Sequence, residues 1–414
     1  MPLDPVFDIR SASAPAWGEG PDARYETLAT PFRPILARIR AGALERELTR
    51  TLPTEPLAWL RQSGFTALRL PLAEGGKEAS LPHLFNLLIE LSWADSNVTQ
   101  TLRSHFGYVE HVLKQAGPER RAIWAKRLAA GELVGGAWSE TGDAKQGSFR
   151  TTITRTADEL RLNGTKFYTT GSLFADWIHV AASDETGETV SATIGRGAPG
   201  VTVLDDWEGT GQRLTGSGTA HFENVLVADE DYLTSLHPVP YAQAYYQLVH
   251  LAALAGLGRS AADDLAATLA ARRRGYSHGA AANPPDDPQL LQVVGQVRAA
   301  AYGAGAIVLQ AARALQRAAD AVGLEHETRE TELAELEIWQ AQRVVSDLIL
   351  TATTHLFDAL GASATLRSAG LDRYWRNART LVSHNPRIYR DRIVGDFAVN
   401  GKEPPRQWRV GLPA

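Results

Sequence analysis

His384 lies in the stretch RTLVSHNPRIYRD, where its residue type and surroundings could support proton transfer. Histidine changes its protonation state near neutral pH and is the side chain used most often as a general acid or base. The polar neighbours Asn377, Arg379 and Asn385 could orient the imidazole. Pro386 would end the preceding helix and fix its direction. A structural histidine at a helix end fits the same pattern, so both roles stay open at this point.

Small hydroxyl residues lie between apolar strand residues in two stretches, AWSETG at 137–142 and RLNGTKFYTTG at 161–171. Side chains of this size allow a flat ligand to approach the backbone closely. The structural alternative is a strand that passes into a loop, together with a tight hairpin at Asn163-Gly164. The two stretches are therefore candidates for a ligand site, and their spacing does not decide between the two roles.

An aromatic helix and an arginine-rich helix end are further candidates. In SHFGYVEHVL, 104–113, the side chains of His105, Phe106 and Tyr108 could line a substrate pocket or pack in the core below an amphipathic helix. In RRRGYSHG, 272–279, three consecutive arginines could cap a helix through its dipole or hold a phosphate group with paired hydrogen bonds.

The composition excludes several kinds of site. The chain has 414 residues, a formal net charge of −5 and no cysteine. Disulfides, thiolate metal sites and a cysteine nucleophile are therefore excluded, and the charge favours neither nucleic acid nor an anionic membrane. His221 and Glu223 have no cysteine pair to complete a zinc site, so we expect no metal. No apolar run has the length of a membrane span and no signal peptide is visible, so we expect a soluble cytoplasmic protein.

Hydrophobic periodicity divides the chain into the segments that must position these residues. A Pro-, Gly- and Ala-rich arm over 1–24 precedes helical residues 25–130. Residues 131–235 alternate like β-strands, with turns predicted at NG, DETGE and RGAPG. From 236 to 414 the helical period returns in three long helices and a shorter fourth, typical of an antiparallel four-helix bundle. The order helix, sheet, helix predicts an α+β fold class.

Five stretches in this order resemble the acyl-CoA dehydrogenase superfamily: LPLAEGG at 70–76, AWSETG at 137–142, LNGTKFYTTG at 162–171, RRRGY at 272–276 and LFDALGASAT at 356–365. The resemblance covers nearly the whole chain, from about 50 to 400. It implies an N-terminal α-helical domain, a central β-barrel domain and a C-terminal four-helix bundle that together enclose a flavin.

The resemblance also implies roles for individual residues. Ser139 and Thr170 would hydrogen-bond the isoalloxazine ring of the flavin. An arginine of the RRRGY stretch would contact the cofactor phosphate across a dimer, and the register favours Arg274, then Arg273. The candidate cofactor-binding residues are Trp138, Ser139, Tyr168, Thr169, Thr170, Arg273, Arg274, Gly361, Ala362 and Ser363.

Departures from the dehydrogenase pattern indicate a different activity. The dehydrogenases need a catalytic carboxylate, yet no Glu or Asp lies between residues 373 and 390, and His384 stands near the expected position. Three carboxylates, Glu335, Glu337 and Asp347, lie on the third C-terminal helix, where charge usually belongs to a solvated face.

The same departures resemble the flavin-dependent monooxygenases of the superfamily, in the branch of the dibenzothiophene and dimethylsulfone-type monooxygenases. The stretches that carry this resemblance are GQRLTGSGTAHF at 211–222 and YWRNARTLVSHNP at 374–386. In that branch a histidine of the HNP-like motif is catalytic, and it corresponds to His384. Some members have a second histidine three positions earlier, where this chain has Leu381.

The resemblance therefore predicts a two-component monooxygenase with His384, Thr170 and Asn385 as catalytic residues. Reduced FMN from a separate NAD(P)H:flavin reductase would react with O₂ to give a C4a-(hydro)peroxyflavin, which would oxygenate a small apolar substrate, organosulfur compounds included. A histidine with a pKa near neutral suits control of the peroxide proton. The alternatives are an FAD-dependent acyl-CoA dehydrogenase and a non-catalytic flavin-binding protein.

Two further features bear on the cofactor and the assembly. DALGASA at 358–364 lacks the polar residues with which the dehydrogenases hold the adenosine half of FAD, so FMN is favoured and FAD is less expected. The long Ala-rich helices have more apolar surface than one small bundle can bury, and the family completes its flavin site from two subunits. We therefore expect a homotetramer.

Overall fold

The computed structural model describes residues 17–142, 148–156, 159–234 and 239–405. Residues 1–16 of the predicted arm lie outside the described residues, and a first helix already begins at Ala23, where the Asp22 carboxylate accepts hydrogen bonds from two backbone N–H groups of the first turn. The helices that precede the sheet are α1 (Ala23–Ala29), α2 (Arg33–Ala41), α3 (Ala43–Thr49), α4 (Thr54–Gln62), α5 (Leu81–Thr101), α6 (Arg103–Lys114) and α7 (Pro118–Ala129).

The strands of the described ranges form one sheet. They are β1 (Val134–Ala137), β2 (Thr152–Thr156), β3 (Glu159–Lys166), β4 (Trp177–Ser183), β5 (Thr189–Gly195), β6 (Val201–Val203), β7 (Ala220–Val227) and β8 (Tyr232–Leu233). The strand order is β6-β7-β3-β2-β4-β5-β8, and β1 pairs in parallel with β4. Along the chain, helices precede and follow the strands of the sheet, which is the expected order of helix, sheet and helix.

The Asn163-Gly164 hairpin predicted from the sequence is wrong, because both residues lie inside β3. This strand pairs with β2 on one side and with β7 on the other, so its backbone cannot also form a turn. The register with β7 shifts between Leu162 and Gly164, and Gly164 has a φ of +145°. An irregularity of this kind and a tight turn both use glycine, so the dipeptide alone could not distinguish them.

Within residues 239–405, five α-helices follow the sheet: α8 (Ala242–Ala271), α9 (Pro288–Asp320), α10 (Glu327–His355), α11 (Asp372–Ser383) and α12 (Arg390–Asn400). The first four coincide with helices that the periodicity predicts. The last was not predicted, and none of its residues is buried in this chain. Among the described residues, no helix combines the length and the apolar character needed to cross a membrane.

Helices α5 and α8 pack against each other at the centre of the largest hydrophobic core. At Gly256 of α8 a Cβ atom would clash with the carbonyl oxygen of Ile89 in α5. The two backbones can approach so closely only because glycine has no side chain. This contact fixes the separation between the helices that precede the sheet and those that follow it.

A buried ion pair joins the same two groups of helices. Arg69 Nε donates to Glu110 Oε1 on α6 at 2.6 Å, and the Tyr241 hydroxyl, just before α8, donates to Glu110 Oε2 at 2.7 Å. The Glu110 side chain has no exposed surface. Its carboxylate therefore depends on these two partners for the hydrogen bonds that water would otherwise supply.

The substitution Glu110→Gln should lower the free energy of unfolding by about 3–5 kcal/mol, because it leaves the Arg69 charge buried without its partner. Chemical denaturation monitored by circular dichroism would measure the loss. Asp391→Asn is the control, since the Arg343–Asp391 pair is exposed and its removal should leave stability nearly unchanged. Equal losses in the two variants would contradict the structural role of the buried pair.

Candidate active site

The His384 side chain lies directly after α11 and is exposed, although protein surrounds it on most sides. Its ring contacts the ring of His250 on α8, with 4.3 Å between the centroids. Solvent reaches the His384 side chain, but protein atoms surround it on most sides, so the side chain lines a recess in the surface. We call this region the histidine recess and define it by Arg103, Trp138, Tyr246, His250 and His384.

Three elements of different parts of the chain meet at this recess. Arg103 is the first residue of α6, and its guanidinium lies 4.6 Å from the centroid of the Tyr246 ring on α8. Arg103 Nε also donates to the Tyr246 carbonyl at 3.3 Å. Trp138, which follows β1, packs edge-on against Tyr246 with 6.3 Å between the ring centroids. The sheet and both groups of helices therefore contribute to one concave surface.

Asn385 orients the His384 imidazole. Its Oδ1 lies 3.2 Å from His384 Nδ1, and its Nδ2 donates to Gln247 Oε1 at 2.8 Å. Gln342 Nε2 donates to the Asn385 carbonyl at 3.2 Å, which fixes the backbone as well. With the Asn385 amide in this orientation, Oδ1 can only accept, so His384 Nδ1 carries the hydrogen and Nε2 is left as an acceptor.

The other two predicted orienting residues do not contact His384. The Asn377 side chain accepts a hydrogen bond from the Gln212 N–H and donates to Glu47, and it belongs to a different buried network. Arg379 is exposed on the opposite side of α11 from Asn377 and Ala378. Their positions on the helix, which the sequence did not reveal, separate them from the imidazole.

The recess keeps His384 neutral. Loss of hydration, together with the positive charge of Arg103, lowers the pKa of His384 to about 3, although the hydrogen bond with Asn385 opposes this shift. Loss of hydration, then repulsion from the cation that His384 would become if protonated, and the charge of Arg103 lower the pKa of His250 well below its usual value. The near-neutral pKa expected from the sequence is therefore not found for His384, which is a hydrogen-bond acceptor at physiological pH.

No carboxylate among the described residues is close enough to shift the pKa of Arg103, His250 or His384. The three carboxylates noted on the third C-terminal helix have arginine partners elsewhere. Glu337 pairs with Arg317 at 2.6 Å, and Asp347 pairs with Arg343 and Arg387. Glu335 is buried, and its negative charge favours the protonated form of Arg390, whose pKa burial lowers.

The two hydroxyl-bearing stretches lie side by side where strands β1 and β3 end. The Phe167 N–H donates to the Ser139 carbonyl at 3.0 Å, which joins the segment after β1 to the segment after β3. A buried ion pair between Lys166 Nζ and Glu140 Oε1, at 2.7 Å, holds the same two segments together. Burial lowers the pKa of Lys166 to about 8, and the Glu140 carboxylate opposes that shift.

Thr170 belongs to a chain of hydroxyl groups. Its Oγ1 lies 2.8 Å from Ser217 Oγ, which lies 2.7 Å from Thr215 Oγ1. The following residue, Gly171, has a φ of +82°, and a Cβ atom there would clash with the Thr101 carbonyl at the end of α5. This contact places the Thr170 segment directly beside the start of α6 and hence beside the histidine recess.

Tyr168 adopts a backbone conformation that is uncommon for a residue with a side chain. Its φ is +61°, and its side chain is 52% exposed. The ring lies 5.9 Å from that of Trp207 and 4.7 Å from that of Phe167. Strained backbone of this kind is concentrated at functional sites, and the accessible aromatic faces and neutral hydroxyls match the chemistry of a flat heteroaromatic ring.

The three predicted substrate residues do not line the histidine recess. His105 is buried, and it uses both ring nitrogens: Nε2 donates to the Thr66 carbonyl at 2.9 Å and Nδ1 accepts from the Val134 N–H at 3.3 Å. Phe106 and Tyr108 are buried in two separate hydrophobic clusters. All three side chains pack in the protein interior, which is the alternative to a substrate pocket that the amphipathic pattern allowed.

The predicted phosphate-binding arginines lie beside the loop that carries Gly361, Ala362 and Ser363. Arg272 reaches this loop, where its Nη1 donates to the Ala359 carbonyl at 2.9 Å. Arg273 Nη1 donates to the Ala270 carbonyl at the end of α8. In the part of the chain that the structure describes, the Arg274 guanidinium has no hydrogen-bond or ion-pair partner, so it is available to a group outside this chain.

Residues 361–363 themselves are exposed. Gly361 has a φ of +71° and begins a short 3₁₀ turn over Ala362–Thr365. The Thr365 hydroxyl in this turn donates to the Ala362 carbonyl, so it is used within the loop. The loop therefore presents backbone and small side chains to its surroundings.

Sequence reasoning missed Arg103, Tyr246 and His250. A signal was present in YYQLVHLAALAG, where Gln247 and His250 interrupt a strongly apolar helix at a spacing of three and so share one face. Polar residues on the buried face of a helix need partners or a ligand. For Arg103 no such pattern exists, because its position depends on the junction between α5 and α6.

A cavity of about 330 Å³ lies elsewhere, between α2, α5, α8 and α11. Its charged side chains are paired within the protein: Asp264 accepts from Arg40 at 2.8 Å and from Arg373 at 2.6 Å. Two further carboxylates of the lining also have arginine partners, in the pairs Asp95–Arg46 and Glu47–Arg376. The groups that could bind a ligand are therefore already used within the protein. The histidine recess, where polar atoms remain free, is the better candidate for chemistry.

Comparison with known proteins agrees with this geometry. Residues 248–386 match the family described as acyl-CoA dehydrogenase, C-terminal domain. The chain is 29% identical over 393 residues to the probable FMNH2-dependent monooxygenase SfnC of Pseudomonas putida, with 91% of this chain and 97% of that protein covered. The predicted resemblance to the acyl-CoA dehydrogenase superfamily, and within it to the flavin-dependent monooxygenases, is confirmed.

Two solved structures support the same assignment. FMN-bound TdsC from Paenibacillus sp. A11-2 is 26% identical and has a TM-score of 0.84, with 92% of this chain and 99% of that chain covered. Methanesulfinate monooxygenase MsuC from Pseudomonas fluorescens is also 26% identical with a TM-score of 0.84, covering 91% and 98%. The expected acyl-CoA dehydrogenase-like fold, helical at both ends with a central sheet, is confirmed at this level.

The position of His105 predicts a measurable pH dependence of stability. Burial lowers the pKa of His105 to about 4, below its value near 6.5 in the unfolded chain, so the unfolded chain binds the proton first as pH falls. Stability should therefore decrease below about pH 6.5, by about 1.4 kcal/mol per pH unit for this residue. His105→Gln, which keeps a donor and an acceptor, should reduce the slope.

Melting temperatures between pH 7.5 and 5 would check this expectation. The exposed His278, which has no ion-pair partner among the described residues, provides the control, since His278→Gln should leave the pH dependence as in the wild type. An unchanged slope in His105→Gln would mean that His105 is solvated, as a residue of an open substrate pocket would be.

Proposed function

We propose that this chain is the oxygenating component of a two-component monooxygenase. It would use reduced FMN and O₂ to oxygenate a small, largely apolar substrate, and organosulfur compounds are the class that its relatives favour. SfnC is named as FMNH2-dependent, and MsuC is named for methanesulfinate. The FMN-bound structure of TdsC supports FMN as the cofactor.

Among the described residues, the histidine recess contains no carboxylate, and this observation carries the proposal. An acyl-CoA dehydrogenase must remove a proton from the substrate with a carboxylate base, and no carboxylate of the described residues influences Arg103, His250 or His384. The recess instead contains a neutral imidazole with a free Nε2 and a cation. These groups suit the handling of a single proton beside a developing negative charge.

The hydroxyl segment at the ends of β1 and β3 would hold the flavin. Ser139 and Thr170, with Thr169 and Tyr168 beside them, are the residues proposed to contact the ring system, and Trp138 would lie at its edge. Reduced FMN supplies the electrons that activate O₂. The protein contributes the fixed donors, the neighbouring aromatic side chains and a recess that restricts water.

His384 would act as the proton-transfer group, with Asn385 holding the imidazole. Because Nδ1 is engaged by Asn385, Nε2 is the atom that accepts a proton from a reacting group and returns it later. The low pKa means that the imidazole is neutral throughout the physiological pH range, so the Nε2 lone pair can accept a hydrogen bond from a reacting group.

Thr215 donates to the Gln212 carbonyl, so Ser217 donates to Thr215 and Thr170 donates to Ser217. The Thr170 oxygen would therefore accept a hydrogen bond from the cofactor.

The loop of Gly361, Ala362 and Ser363 favours FMN over FAD. It offers few side-chain donors and is exposed, so nothing in it resembles a site for an adenosine group. Arg274, whose guanidinium is unpaired within the described residues, is the side chain proposed for the phosphate, with Arg273 as the second choice. A separate NAD(P)H:flavin reductase would supply the reduced cofactor.

We also propose that the central sheet closes as a β-barrel, that the C-terminal helices form a four-helix bundle, and that the protein assembles as a homotetramer. The uncovered helix α12 and the turn before it support the assembly. Ile388 is 78% exposed and Val399 is 82% exposed in this chain. Apolar side chains grouped in this way usually belong to an interface between subunits.

The substitution His384→Ala should reduce oxygenated product by about 10²–10⁴-fold, the usual contribution of general acid–base catalysis. The assay mixes the protein with chemically reduced FMN in aerated buffer, with dibenzothiophene or methanesulfinate as the substrate, and quantifies product and hydrogen peroxide. Affinity for reduced FMN and melting temperature should stay close to wild type, because His384 is exposed. The exposed His278 serves as the control through His278→Ala.

A structural histidine would give the opposite combination. The variant would then melt at a much lower temperature while its folded fraction still formed product at the wild-type rate. That result would remove His384 from the proposed chemistry.

A further inference from the structure

Among the described residues, Arg103 has no carboxylate partner. Its guanidinium lies in the histidine recess over the Tyr246 ring, and only its Nε donates a hydrogen bond, to the Tyr246 carbonyl. A guanidinium has five N–H donors. Those on the two terminal nitrogens of Arg103 have no acceptor among the described residues, and no carboxylate of the same residues is close enough to affect its pKa.

Two other enclosed arginines of the same chain have a carboxylate partner. Arg69, which is similarly enclosed, is paired with Glu110 at 2.6 Å. Arg46 is paired with Asp95 at 2.9 Å. A charge that is removed from water needs a partner of opposite sign, so Arg103 lacks a group that the other two possess.

A second unpaired atom lies in the same recess. His250 is buried, and its Nε2 lies 3.3 Å from Gln100 Nε2. Whichever ring nitrogen carries the hydrogen, Nδ1 of His250 has no hydrogen-bond partner among the described residues. The recess thus contains a cation and an imidazole nitrogen whose partners are not supplied by the described part of the chain.

The charge of Arg103 persists at working pH. Burial lowers the pKa of its guanidinium to about 10, which is still well above neutral. The residue is therefore protonated while its hydration is reduced, and a bound anion would offset the cost of that desolvation.

We propose that the histidine recess binds the anionic group of a small organic sulfur oxyacid, a sulfinate or a sulfonate, through the two terminal nitrogens of Arg103. This inference rests on the proposed function, since the substrate is taken to be an organosulfur compound. A guanidinium matches two oxygens of such a group with paired hydrogen bonds. The anion would lie beside His384 and close to the Thr170 segment, because Gly171 packs against Thr101, two residues before Arg103.

Two other roles of Arg103 predict different results. Stacking on Tyr246 alone would make it a structural residue, but that contact leaves the terminal nitrogens unused. The cofactor phosphate is the other anion that an arginine could hold. A phosphate contact would make FMN binding, and not riboflavin binding, depend on Arg103.

The test measures binding by isothermal titration calorimetry on the full chain saturated with oxidised FMN. Methanesulfinate and dimethyl sulfone are the two probes, since both carry sulfur-bound oxygens and only the first is charged. The wild type should bind methanesulfinate more tightly than the sulfone. Arg103→Gln should weaken methanesulfinate binding by about ten- to hundredfold and change sulfone binding little. Arg103→Lys, which keeps the charge, should retain part of the affinity.

Arg38→Gln is the matched control, because Arg38 also stacks on an aromatic ring, 3.7 Å from the Trp59 centroid, but lies outside the recess. It should leave both affinities unchanged. The proposal is overturned if Arg103→Gln weakens both probes equally or neither. It is also overturned if Arg103→Gln weakens FMN binding while riboflavin binding stays as in the wild type.

The experiments distinguish failure of the anion site from failure of the proposed monooxygenase function. Selective methanesulfinate binding that depends on Arg103, without product formation from reduced FMN and O₂, supports the anion site and removes the monooxygenase proposal. Oxygenation of dibenzothiophene by a wild type that does not prefer methanesulfinate over the sulfone overturns the anion site and leaves the monooxygenase proposal intact.

Discussion

At Gly256 the backbone of α8 lies against that of α5, with no space for a side chain between them. Tyr246 and His250 lie on α8 before this contact, and Arg103 follows directly after α5. The separation of these residues is therefore set by the packing of two buried helices and not by flexible loops. Gly171 adds the sheet to the same framework, because its contact with the end of α5 leaves no space for a Cβ atom. The recess is positioned by close backbone contacts throughout.

The charge of Arg103 influences the protonation of His384 within the recess. Loss of hydration and the charge of Arg103 together lower the pKa of His384 to about 3, so the imidazole is neutral. An anion bound to Arg103 would cancel part of that positive field and raise the pKa of His384 toward its ordinary value. Binding of an anionic substrate would thus make the imidazole a stronger base at the moment when a proton must move. The surrounding amides, Asn385 and Gln247, can hold the ring without adding charge of their own.

Periodicity was sufficient to predict α8, α9 and α10, because each is long and amphipathic or strongly apolar. The Asn163-Gly164 turn failed because pairing of β3 with strands on both sides overrides a local preference. His105 and Arg103 both lie on α6, yet only Arg103 faces the recess. A single sequence does not show which neighbouring elements pack against each face of α6. The hydroxyl segment was predicted as a flavin site by resemblance. Arg103 and His250 become visible only when the burial and pairing of each polar atom are known.

The central claim, that the hydroxyl segment beside the recess holds reduced FMN, is tested most directly by anaerobic titration of the protein with reduced FMN and with reduced FAD. The wild type should bind reduced FMN at least about tenfold more tightly than reduced FAD. Thr170→Val, which keeps the shape and removes the hydroxyl, should weaken FMN binding about fivefold, the contribution of one hydrogen bond. Tighter binding of FAD, or full FMN affinity in Thr170→Val, would contradict the account.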